Sequence, residues 1–166
     1  QFSNDNSTWS TAETYSTNKT WTLSTGDGTK TVYVKFKDNV WNWTTTTISD
    51  SIILDTTPLT VSSTSPSNSA TSVAINTSVT ATFSENMDAS TITTSTFTIS
   101  NGDSVSGTVT YSDTTATFTP SENLSYNTTY TATITTGVKD SAGNAMTSDY
   151  SWSFTTLPLT PPPPPE

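Results

Sequence analysis

The sequence predicts an all-β protein built of antiparallel β-sandwiches, and three observations carry that prediction. Apolar residues alternate with Thr or Ser at period 2 in segment after segment, the signature of strands with one buried and one wet face. Clusters of Gly, Asp, Asn and Pro separate these segments at intervals of about 10 to 20 residues, the rhythm of hairpin-connected sandwiches. Ser and Thr fill 69 of the 166 positions, and β-branched Thr suits a pleated, half-solvated surface. Leu, Ile, Val and Phe supply only 28 residues, so each core has to be thin and placed by alternation.

The elements follow in order. Trp21 and Leu23 alternate ahead of the Gly26-Asp27-Gly28 turn, and Val32, Val34 and Phe36 alternate after it. That pattern predicts a hairpin over residues 20–37 with Trp21, Val34 and Phe36 in its core. Ile48 to Leu54 is a further strand, closed by Asp55-Thr56-Thr57-Pro58. Beyond Pro58 the alternation is cleaner: Val79, Ala81 and Phe83; Phe97 and Ile99; Val109 and Tyr111; Ala116 and Phe118; Tyr130, Ala132 and Ile134; Tyr150, Trp152 and Phe154. Only Asn86 to Ile92 reads as a short helical turn. After Thr156 the chain runs through five prolines, Pro161 to Pro165, which predicts a semi-rigid polyproline II spacer. The expected organisation is a first module over residues 1–57, a second over 58–156 and a Pro-rich linker over 157–166.

Charge and composition exclude most chemistry. The net charge is −9, and the only cations are Lys19, Lys30, Lys35, Lys37 and Lys139. A nucleic-acid partner is excluded because phosphate neutralisation needs a basic surface. No run approaches the ~18 apolar residues of a membrane span. The absence of His and Cys removes Ser-His-Asp and Cys-His catalysis and the zinc, iron–sulfur and haem sites. The four Glu fall in turns or at the tail with no cleft suggested, so the chain is read as no enzyme. No cofactor is expected unless it is calcium, which oxygen ligands alone can hold. The candidates are Asp38 with Asn42, Asp140 with Asn144, and Asp55. Each is more simply an Asp at the start of a tight loop, where a carboxylate accepts backbone N–H groups. Trp41 and Trp43, at i and i+2, share a face and suit either a sugar-stacking platform or, more simply, a core or interface. Chains low in Lys and Glu and rich in Thr and Asn are typical of exported proteins. The start at Gln1 without an initiating Met is read as a mature or cut piece of a longer secreted precursor.

Lys37-Asp38-Asn39-Val40-Trp41-Asn42 and Lys139-Asp140-Ser141-Ala142-Gly143-Asn144 share Lys-Asp, three residues and Asn, which predicts two tandem modules of one type. The second resembles the bacterial Ig-like domains of S-layer and other cell-surface proteins. The resemblance rests on Ser65-Pro66, Ala74 to Thr77, Val79 to Asp88, Leu124 to Tyr130, Val138 to Met146 and Trp152 to Thr156. The first resembles a related surface repeat through Phe2 to Asp5, Thr8 to Ser10, Gly26 to Val34 and Asp50 to Pro58. It departs from such repeats in two ways. It lacks their leading strands, and it carries Trp41 in place of a Gly, which argues against a left-handed backbone there.

The resemblance implies tandem immunoglobulin-like sandwiches, the first partial, at the cell surface or outside the cell. It says little of function, but the missing leading strands would leave a core face and a sheet edge open beside Trp9, Trp21, Trp41 and Trp43, which points to a structural subunit of a filament, sheath or stalk, completed by strands of a neighbouring chain. The expected partners are therefore copies of itself or neighbouring Ig-like modules. The alternative is a non-catalytic adhesin or carbohydrate-binding module of a larger secreted protein, with surface glycans as partner. A passive spacer beside a catalytic domain is a third reading.

Overall fold

A computed structural model describes residues 1–159. The chain divides into two compact units, one ending at Thr57 and the next starting at Pro58. Both are β-structured, as the alternation predicts. Among the described residues no helix is long and apolar enough to cross a membrane.

The first unit is a single antiparallel sheet of β1 (Phe2–Ser3), β2 (Gly28–Val34) and β3 (Ile48–Leu54), in that order. Phe2 lies opposite Val34, Val34 opposite Ile48, and Lys30 opposite Ile52. Facing residues share a side of the sheet, so Phe2, Val34, Ile48 and Ile52 form one apolar face. Trp21 packs on Phe2 with ring centroids 5.5 Å apart.

Two expectations for this unit are corrected. Residues 20–24 form no strand, and β2 pairs with β1 and β3 instead of with Trp21 and Leu23. The reason is local: the Asn4 side chain donates to the Thr22 carbonyl at 3.0 Å and accepts the Trp21 indole N–H at 2.7 Å, anchoring this segment through side chains and not through a ladder. Phe36 is no core residue either. It is 41% exposed, two residues beyond the end of β2, with its ring 6.2 Å from that of Tyr15.

The second unit is a two-layer sandwich. One sheet has the order β5-β11-β10-β7 and the other β4-β6-β9-β8. These strands are β4 (Val61–Ser65), β5 (Ala70–Val73), β6 (Val79–Phe83), β7 (Phe97–Ser100), β8 (Gly107–Ser112), β9 (Thr115–Pro120), β10 (Thr129–Ile134) and β11 (Tyr150–Thr156). Every alternating segment beyond Pro58 forms a strand, and the helical turn is the short 3-10 segment Ala89–Thr91, capped by Asp88. Alternation places Val79, Ala81, Phe83 and Phe118 of one sheet against Phe97, Ile99, Ala132, Ile134, Trp152 and Phe154 of the other, all buried. Phe97 meets Phe118 across the layers at 5.8 Å and Trp152 within its own sheet at 5.9 Å. Each Val, Ile or Phe among them removed from water contributes about 1.5 to 3 kcal/mol, which lets so short a list of apolar residues hold the unit.

Two local features fix the sandwich. The Tyr130 hydroxyl accepts the Ser125 N–H at 2.8 Å, five residues upstream, the tyrosine-corner arrangement of Greek-key sandwiches. Gly107 in β8 sits where any Cβ would run into the ring of Phe118, so the glycine is required by packing. The ladder also extends past Thr156: Leu157 donates to the Val73 carbonyl at 2.9 Å and its own carbonyl accepts the Asn127 N–H at 3.0 Å. The spacer expected at Pro161 to Pro165 lies outside the described residues.

Candidate functional site

The repeated Lys-Asp motif closes two loops with the same bonds. In the first unit Asp38 Oδ1 accepts the Val40 and Asn42 N–H groups, each at 2.9 Å, and Oδ2 accepts Asn42 Nδ2 at 3.0 Å. In the second, Asp140 Oδ1 accepts the Ala142 and Asn144 N–H groups at 2.8 and 2.9 Å, and Oδ2 accepts Asn144 Nδ2 at 2.9 Å. Backbone bonds repeat as well, Asp38 N–H to Asn42 O and Asp140 N–H to Asn144 O, each at 2.9 Å. The sequence-predicted pairs, Asp38 with Asn42 and Asp140 with Asn144, are thus each brought together. Asp55 accepts the Thr57 N–H at 3.0 Å.

These bonds set the charge state of both loops. The Asn42 N–H and side-chain amide hold the Asp38 carboxyl below its ordinary range. Burial pushes Asp140 up, since it is only 1% exposed, but the Asn144 amide and N–H with the Ala142 and Gly143 N–H groups outweigh burial and leave it lowered. Both are ionised turn caps at neutral pH.

At the fourth loop position the two part company. Gly143 has φ 96° and Trp41 has φ 77°. The expectation that Trp41 would avoid a left-handed backbone is therefore corrected: the Asp38 carboxylate gathers the Val40 and Asn42 N–H groups, and the residue between them has to turn left-handed whatever its side chain. A bulky residue there is strained by about 1 to 3 kcal/mol.

Trp41 is not a core residue but 77% exposed, and its ring forms part of a ladder of cations and indoles. Lys35 Nζ lies 3.8 Å from the centre of the Trp9 ring and 5.8 Å from that of Trp43. Lys37 Nζ lies 3.8 Å from Trp41 and 5.2 Å from Trp43. An antiparallel bridge pairs Lys37 with Trp43 and brings the two i, i+2 pairs to one place. Sequence reasoning missed the lysines. The signal was the symmetry of Lys35-x-Lys37 and Trp41-x-Trp43 about one turn, whereas the part of Trp9 had no sequence signal. Beside the ladder is an open pocket lined by Phe36, Lys37, Asp38, Asn42, Trp43 and Thr44.

A second exposed apolar feature is β3. It is the terminal strand of its sheet, and Ile48, Ile52 and Ile53 are 55%, 59% and 76% exposed. Ile48 and Ile52 point to one face and Ile53 to the other, so the strand is uncovered on both sides as well as along its edge. Within it the Ser51 N–H is held by the Asp50 carboxylate at 2.8 Å.

Residues 55–156 match the family described as bacterial Ig-like domain. No curated protein sequence matches the chain. Among solved structures, the chain is similar to the N-terminal part of the bacterial S-layer protein SbsC, with 25% identity over 61% of this chain and 24% of that one, at a TM-score of 0.48. It is similar to domains 1–6 of surface layer protein SbsC, with 26% identity over 64% of this chain and 15% of that one, also at 0.48. An L,D-transpeptidase from Mycobacterium smegmatis matches at 20% identity over 61% of this chain and 41% of that one, at 0.44. The chain spans less than half the length of each of these structures.

Proposed function

The chain belongs to the bacterial Ig-like domain family, and from that membership we propose that it is a non-catalytic structural module of the bacterial cell surface, joined to its neighbours through β3. The second unit is a closed sandwich and the first an open sheet. A sheet of three strands with an uncovered terminal strand gains buried area and ladder bonds by accepting a further strand. The strand it would accept is one from a second copy or an adjacent Ig-like module. Such joining gives a filament, sheath or stalk, in which antiparallel ladders bear tension and Thr-rich faces stay hydrated. The observation that carries this reading is the exposure of Ile48, Ile52 and Ile53 on a terminal strand.

The test is assembly. Light scattering and negative-stain microscopy of the whole chain are expected to show oligomers or fibres, and Ile53→Lys, which sets a charge on the uncovered strand, is expected to leave monomers with unchanged circular dichroism. A wild-type monomer at every concentration would overturn strand addition and leave a spacer or binding module. Repeating the experiment with calcium and with EDTA reads the metal question. Fibres that dissolve only on chelation would make Asp38, Asp55 and Asp140 calcium ligands as well as turn caps.

A further inference from the structure

We propose that the Trp9–Lys35–Trp43–Lys37–Trp41 ladder is a binding site for an acidic polysaccharide, a chain of uronate sugars. The inference does not rest on strand addition at β3, since it uses different residues of the first unit. Its first support is charge. The chain carries −9 overall on five lysines, yet two of the five stand side by side on indole rings. Lys19 is held by Glu13, and the ammonium of Lys30 is buried against the Thr25 carbonyl. Among the described residues neither Lys35 nor Lys37 forms an ion pair. Asp38 draws on Lys37 electrostatically, from a carboxylate already engaged by its own loop. The ladder is thus a local cationic spot on an acidic molecule, which selects for an anion.

Its second support is the rings. Lys37 covers part of Trp41, but that indole remains 77% exposed, and Trp43 is 37% exposed. An exposed indole held at φ 77° adds little to folding, because the sister loop makes the same bonds with Gly143. Strain kept at a position where the fold has a cheaper solution is a mark of a ligand contact. Flat apolar faces flanked by ammonium groups complement a ligand that is itself flat, with C–H faces and a carboxylate on each unit. Uronate sugars have that form. Phe36, Asn42 and Thr44 line the adjoining pocket and offer one more apolar wall and two groups able to bond sugar hydroxyls. The lysines are already positioned by their rings, so little side-chain freedom is lost on binding.

The experiment is titration of the whole chain with an oligogalacturonate, read by calorimetry and tryptophan fluorescence, beside its methyl ester and a ringless poly(glycerol phosphate). The expected result is binding by the uronate that weakens with salt, with both comparison polymers at least about tenfold weaker. Lys37→Gln and Trp41→Gly are each expected to weaken uronate binding by about tenfold or more. Trp41→Gly installs the residue of the sister loop and so keeps the fold, which an unchanged circular dichroism spectrum checks. Ile53→Lys is expected to bind as wild type, which separates this site from assembly. Absence of uronate binding, equal binding of the methyl ester, tighter binding of the ringless phosphate polymer, or wild-type affinity in both ladder variants would each overturn the proposal.

Discussion

Two loops of this protein make the same hydrogen bonds in different surroundings. The Asp140 loop belongs to a unit whose core is enclosed between two sheets, and its carboxylate is almost fully buried. The Asp38 loop belongs to a unit with one sheet, and its carboxylate, the indole of Trp41 and most of β3 face solvent. Identical local bonding therefore does not make a unit self-sufficient. A turn motif fixes the path of five residues, whereas closure depends on whether a second layer covers the apolar face. The same difference lets the first loop carry a strained, exposed Trp while the second uses a Gly.

The largest effect expected from breaking the comparison is in the closed core. Trp152→Ala removes a buried indole that touches Phe97 and should destabilise the second unit by about 3 to 5 kcal/mol. Calorimetry that resolves the two units would read this, and a loss under about 1 kcal/mol would mean that the indole is not enclosed. Trp152→Phe should cost clearly less, because Nε1 has no hydrogen-bond partner and Phe removes that unpaired donor along with the lost volume. Truncating Trp21, which is only half-buried, should cost the first unit less than Trp152→Ala costs the second.

A smaller effect comes from exchanging the residues at the fourth loop position. Gly143→Ala should destabilise the second unit by about 1 to 2 kcal/mol, since φ is 96° with nothing within 4 Å of the new Cβ, so the loss is conformational and not steric. Trp41→Gly relieves strain but loses the Lys37 stacking and frees the unfolded chain, so the first unit should change by less than about 1 kcal/mol in either direction. Denaturant unfolding of both variants checks the pair, and a large loss on Trp41→Gly would show that the indole supports the fold.

The smallest effect is the acid response. Asp140 is lowered in the folded state, so its contribution is complete above the unfolded value of about 3.9 and is lost as pH falls from there through the folded value. The melting temperature of the second unit should therefore hold down to about pH 5 and fall below about pH 4, and Asp140→Asn should flatten that limb. Exposed Asp88 shifts in the same direction and retains part of the slope. The Asp38 loop is solvated, so Asp38→Asn should alter the acid limb of its unit less. Equal responses from the two loops would dissolve the distinction between them.

Most strands could be read from sequence because a buried face repeats every second residue, as Val79-Thr80-Ala81-Thr82-Phe83 shows. β4 and β5 could not, since Val61-Ser62-Ser63-Thr64-Ser65 and Ala70-Thr71-Ser72-Val73 carry too few apolar residues to alternate, and the sheets they join supply the ladder that defines them. The Asp-to-Asn loops were legible as a repeat. The backbone at Trp41 was misread because the preference of the side chain was weighed without the carboxylate bonds that override it.

The sequence by itself determined the all-β class, the strand phase of the second unit and the two Asp-anchored turns, because alternation and turn chemistry act over a few residues. Only the tertiary structure decided the parallel pairing of β5 with β11, the open face of β3, and the meeting of Trp9 with Lys35 across 26 positions. Those depend on which segments become neighbours in space, which is settled by packing of the whole unit and not by any local pattern.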